Sequence, residues 1–125
     1  MASTTSSSFA ETVFAHTRRL GLNQVVFSER TLLDDRQFRK IKSNSLTNVS
    51  FDTAMAICVG LDLGLEYGLP LLEKAGFSLN AEQRLPYKIL LIFYRGHTII
   101  ECNHFLSEQG VKLIRQSACR ELLSQ

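Results

Sequence analysis

The chain has 125 residues, 45% of them hydrophobic and 21% charged, a globular balance that excludes a disordered chain and fits one domain, or one with an appendage. Lys and Arg number 14 against 12 Asp and Glu, a formal net charge of +2, so a general cationic coat is excluded and any electrostatic patch has to be local. The longest apolar run, Ile89 to Tyr94, is far short of the ~20 residues that cross a bilayer. The N-terminus lacks the basic and apolar regions of a signal peptide, and cysteines at 58, 102 and 119 do not make a disulfide scaffold, so a cytoplasmic setting is expected.

The opening MASTTSSS is small, polar and of low complexity, and residues 1–8 read as a disordered leader. Ser8 and Glu11 then have the spacing of a capping box. Phe9, Val13, His16 and Leu20 follow at helical intervals, and Gly21 can supply the left-handed stop. Asn23 is a suitable N-cap for a second helix from about Gln24 to Arg30. Asp34 with Gln37 resembles another box and opens a third helix through about Ser43. Ser50 caps a fourth, with Asp52 in its first turn, where the helix dipole favours a carboxylate.

A helix running up to Ala75 and Gly76 contains Pro70, expected in its first turn or at a kink. Asn80 to Gln83 should start a further helix through about Tyr94, with Pro86 marking a second kink. Thr98 and Glu101 form another capping box, Gly110 closes that helix, and Val111 to Leu123 reads as a final amphipathic stretch. No segment alternates with period two, so a sheet is not expected and the fold class is all-α.

The apolar and polar anchors Phe9, Gln24, Phe27, Leu33, Phe38, Ile41, Phe51 and Leu61 stand at offsets that resemble the helix-turn-helix domains of the XRE/Cro type, the lambda-repressor-like fold. The resemblance covers about residues 9–66. It implies a helix-turn-helix domain over 9–76 and a C-terminal helical region over 77–125. In such a domain DDRQFRKIKSN, from Asp34 to Asn44, is the recognition helix, the partner is double-stranded DNA, and the protein is a dimeric transcription regulator. By match to the family pattern Asp35, Arg36 and Lys40 face base edges, where Arg can take guanine bidentately and Asp can accept from a cytosine amine. Gln24 matches a phosphate contact, and Arg39, Lys42, Ser43 and Asn44 match backbone contacts that set register. Gln37 falls between these positions and joins the candidate DNA-binding set.

The residues themselves support a local cationic helix. Phe38 and Ile41 lie three apart and can face a core, while Arg36, Arg39, Lys40 and Lys42 project to other faces. No acid interrupts residues 36–42, the densest positive patch in the chain. The alternative is a solvated helix face. Three features depart from the family pattern. Leu32 stands where a left-handed turn often carries Gly, the loop Ser45–Ser50 has no cation, and Asp34 and Asp35 place two acids where phosphates approach. They motivate a second reading, a protein-interaction module that keeps the scaffold and has lost DNA binding. Gln24 and Asn44 also read as capping or turn residues.

Other candidates carry less. His16 lies on an apolar face and reads as a packing residue, and Cys58 as core filler. Cys102 and His104, at i and i+2, point to different faces of a helix, unlike structural zinc ligands. No phosphate loop, nucleophile elbow or zinc-protease motif appears, so neither catalysis, a metal nor a cofactor is expected. The second half is rich in large apolar residues: Leu85, Tyr87, Ile89 to Phe93, Ile99, Ile100, Phe105 and Leu106. They are either the core of that half or, with Leu113, Ile114 and Leu122, a homodimer interface.

Overall fold

The computed structural model describes residues 7–123, with Leu122 and Leu123 described by backbone alone. It is all-helical, with no strand among the described residues. Eight α-helices follow in order: α1 Phe9–Arg19, α2 Gln24–Thr31, α3 Asp35–Lys42, α4 Phe51–Gly60, α5 Gly64–Lys74, α6 Leu85–Phe93, α7 Ile99–Glu108 and α8 Gln116–Leu123. The starts obey local capping chemistry. Both halves of the Ser8–Glu11 and Thr98–Glu101 boxes are formed, and Asn23, Asp34 and Ser50 each accept a backbone N–H from three residues on. Ser8 is therefore part of the fold, and Ser7 accepts from Lys74 Nζ at 2.7 Å. The rest of the expected leader, residues 1–6, lies outside the described residues.

Four expectations are corrected and one is narrowed. The Asp34 cap is one-sided, because no bond returns from Gln37. Of the two places expected for Pro70, the first turn is excluded: it lies inside α5 as the seventh residue. The helix expected from Asn80 begins only at Leu85, after a single 3-10 turn over Glu82–Arg84. Pro86 occupies the first turn of α6, where a missing N–H leaves no intrahelical bond unmade, so it marks a start and not a kink. The last stretch is helical only from Gln116, because residues 111–113 are irregular and Ile114 and Arg115 form a turn with Arg115 at φ 49.

Helix α4 is the axis of the core. Every residue from Ala54 to Gly60 is buried, as expected of a helix with no polar face. It packs on α5, α2, α6 and α7. Gly60 permits the close approach of α2: a Cβ there would lie 2.7 Å from Thr31 Cγ2 and 2.8 Å from the Arg30 carbonyl oxygen. Helix α1 packs on α3 and α5. The buried residues of both halves of the chain form one cluster, from Phe9 and Phe27 through Met55 and Ile57 to Leu90, Leu106 and Ile114. Phe51 joins the halves by edge-to-face contact with Tyr87 at 5.0 Å, and Arg84 lies 4.3 Å over the Phe51 ring.

Polar clasps hold the C-terminal segment. Asn103 of α7 is buried and grips Ile114 in both directions, with Nδ2 donating to the Ile114 carbonyl and Oδ1 accepting from its N–H, each at 2.7 Å. The Arg115 N–H donates to Asp52 Oδ1 at 2.7 Å, and its Nε to the Leu32 carbonyl at 3.1 Å. The Tyr87 hydroxyl donates to the Lys112 carbonyl at 2.7 Å. These bonds fix the base of α8 beside the α2–α3 turn.

Candidate nucleic-acid interface

Helices α2 and α3 are joined by Leu32, Leu33 and Asp34. Leu32 adopts the left-handed conformation, φ 58 and ψ 23, so the turn keeps a glycine-like backbone with a leucine in it. A left-handed L-residue costs about 1–2 kcal/mol. The Leu32 side chain is half-buried against the core, its N–H donates to the Ser28 carbonyl at 2.8 Å, and Arg115 takes its carbonyl. Those contacts offset the strain. Leu33 is buried, and its N–H donates to Thr31 Oγ1 at 3.3 Å. Phe27 of α2 meets Phe38 of α3 edge to face at 5.0 Å, which locks the two helices together.

Helix α3 divides cleanly by face. Phe38 and Ile41 are buried, while Arg36, Arg39 and Lys42 are exposed and Lys40 is half-buried. Arg36, Arg39 and Ser43 recur at helical spacing along the outward side, with Asp35 and Lys40 flanking them. Ion pairs among the described residues join Arg95 to Asp62, His97 to Glu101 and Arg115 to Asp52. None involves a cation of α3. No carboxylate among the described residues pairs with them. Arg39, Lys40 and Lys42 stand in the last turn of α3, where the helix dipole favours a cation, and Asp35 is the acid nearest to Arg36 in sequence.

The other candidates are placed less uniformly. Ser43 and Asn44 complete a helix-ending motif: Asn44 takes φ 57, its N–H donates to the Ile41 carbonyl, and the Ser45 N–H donates to the Lys40 carbonyl. Asn44 Oδ1 also accepts from Ser8 Oγ at 2.7 Å, and the Ser43 and Ser45 hydroxyls lie 2.8 Å apart. Both residues thus serve the turn while remaining exposed. Gln37 is half-buried, with Oε1 lacking a hydrogen-bond partner among the described residues. Gln24 is half-buried in the first turn of α2, at the opposite end of that helix from Leu32. In the loop after α3, Leu46 and Val49 pack against the core, so its apolar residues anchor it.

The placement of Arg115 and α8 beside the α2–α3 turn is the feature the sequence reading missed. Ser117, Ala118 and Glu121 of α8 line a cleft of about 430 Å³ with Ser28, Leu32, Leu33 and Asp34. Arg115 and Leu32 are 83 residues apart in the chain, and no local pattern signals their meeting. His16 is half-buried and meets Tyr67 at 5.0 Å with the rings tilted by 59°, as a packing residue should. Cys58 is buried, which pushes its thiol up to about 12 and leaves it inert. Cys102 is buried whereas His104 is exposed, in keeping with their opposed faces.

Comparison with known proteins finds no matching family model, no matching characterised protein and no matching solved structure.

Proposed function

We propose that the chain is a sequence-specific DNA-binding transcription regulator of the XRE/Cro type, working in the cytoplasm, with α2 and α3 as its helix-turn-helix and α3 entering the major groove. One observation carries the reading: α3 is seated on the core by Phe38 and Ile41 and presents Arg36, Arg39, Lys40 and Lys42 with no ion-pair partner among the described residues. Unpaired cations on a short, rigidly seated helix suit phosphate and base-edge oxygens. Arg36 stands in the first turn, the end such helices insert, and Lys42 at the far end, which suits a backbone contact.

Dimerisation completes the proposal, since a second copy doubles the contacts of a domain with little net charge. Leu85, Ile92 and Phe93 are exposed on α6, Phe93 at 72%, and Ile89 between them is half-buried. Their spacing makes one stripe. The second copy's equivalent stripe is its occupant in this reading, through the helices after residue 80.

Salt-dependent binding to genomic DNA fragments tests the function. The expected result is a preferred site and a steep fall of affinity with salt. Arg36→Ala should cost about 1–3 kcal/mol on that site and flatten discrimination at one base pair. Lys42→Ala should weaken all DNA alike and lower the salt slope by about one unit. If both variants bind as the parent does, α3 is not the reading element.

A second reading is an interaction module on the same scaffold. The exposed Asp35 at the start of α3 and the position of α8 beside Asp34 favour it. It requires neither a preferred site nor a salt slope.

A further inference from the structure

Helix ends from both halves of the chain enclose a groove of about 690 Å³, within the range of small-molecule sites. Arg19 of α1, Arg30 of α2 and Arg95 of the α6–α7 turn line it, together with the carboxylates Glu29 and Asp62. Asp62 is already committed to the fold. It accepts from Arg95 Nε at 2.8 Å and from the Gly96 N–H at 2.9 Å. Burial alone would raise its pKa, but these bonds and the charges of Arg95 and Arg30 hold it below the usual carboxylate range.

The other two guanidiniums have no carboxylate bonded to them among the described residues. Arg19 donates to His16 Nδ1 at 3.3 Å and lies 5.1 Å over the Tyr67 ring, and Arg30 makes no ion pair among the described residues. Glu29 is the one remaining acid among the lining residues. His97 and Thr98 add polar groups at one end, and the apolar wall includes Leu20, Leu32, Tyr67 and Ile100, with Tyr67 43% and Ile100 39% exposed.

We propose that this groove binds a small organic anion, an acid group carried on a flat apolar body. The acid group meets Arg30 and Arg19, whose planar forks match a carboxylate, phosphate or sulfonate. The body lies against Tyr67, Ile100 and Leu32. Leu32 belongs both to the groove wall and to the α2–α3 turn, so the occupant touches the turn directly. The binding itself stands on the groove and does not depend on DNA recognition by α3.

Anilinonaphthalene sulfonate, a fluorescent aromatic anion, is the probe, titrated into the full chain. Saturable one-site binding is expected, weakened about tenfold or more in Arg30→Gln and in Arg19→Gln, each an exposed substitution, as loss of a charge-assisted bond predicts. Phe93→Ser, on the separate α6 stripe, should leave the groove affinity unchanged. Benzoate or phenyl phosphate should displace the probe, and the stronger of the two identifies the acid group; neutral benzamide should not. The proposal is overturned by absence of saturable binding, by unchanged affinity in both arginine variants, by loss of binding in Phe93→Ser, or by benzamide competing as well as the acids.

Discussion

The bidentate grip of Asn103 on Ile114 is the most exposed to a quantitative test. Asn103 is 6% exposed, and its amide satisfies both the N–H and the carbonyl of Ile114, itself 1% exposed. Asn103→Leu keeps nearly the same shape and removes both partners. Each backbone group left buried and unpaired costs about 1–3 kcal/mol, so the pair bounds the loss at about 2–6 kcal/mol. The turn can rotate partly toward water, which places the expected loss near the lower half, about 2–4 kcal/mol. With a urea slope of about 1.5 kcal/mol/M, the unfolding midpoint should fall by roughly 2 M. Asn103→Ala removes the same bonds and adds a small void, so it should lose somewhat more. Native-state hydrogen exchange supplies the local readout, because the Ile114 amide should lose its protection in both variants. A midpoint for Asn103→Leu within about 0.5 kcal/mol of the parent, with Ile114 still protected, would falsify the claim that this clasp holds the C-terminal segment.

Gly60→Ala places a methyl 2.8 Å from the Arg30 carbonyl oxygen, and urea unfolding should show a loss of about 1–3 kcal/mol; a neutral result would mean α2 can move away freely. Burial, and then the charge of Arg19, lower the His16 pKa below its ordinary value of 6.5. The unfolded chain therefore takes up a proton more readily than the folded one, and stability present above about pH 6.5 should decline as pH falls from there through the folded-state value. His16→Gln should flatten that part of the pH profile, and identical slopes in parent and variant would reject the assignment. Phe93→Asp should convert a dimer to a monomer in sedimentation at tens of micromolar. A parent already monomeric at that concentration removes the α6 stripe as an interface.

Most of the secondary structure was legible because its causes are local. A cap reaches three residues, a helical stripe repeats within one turn, and Ser8, Asn23, Asp34, Ser50 and Thr98 all open helices where their side chains suggest. The cationic face of α3 was legible for the same reason, since Phe38 and Ile41 point one way and Arg36 and Arg39 the other. Local signals also misled. In sequence Pro86 suggests a kink, because a proline in a first turn and one in mid-helix look alike until the start of the helix is known.

Tertiary structure alone decided which apolar faces are covered: Leu90 and Leu91 went to the core and Phe93 to the surface, although all three lie in one unbroken apolar run. It also decided that a leucine would hold the left-handed turn at Leu32, because the compensating contacts come from the core and from Arg115. The sequence by itself determined where the capped helices α1 to α4 and α7 begin and what their faces carry, since those energies depend on neighbours three or four residues away. The joining of Arg115 to Asp52 and Leu32, across 63 and 83 residues, and the meeting of Arg19, Arg30 and Arg95 around one groove depend on how whole helices pack, and no short spacing records that.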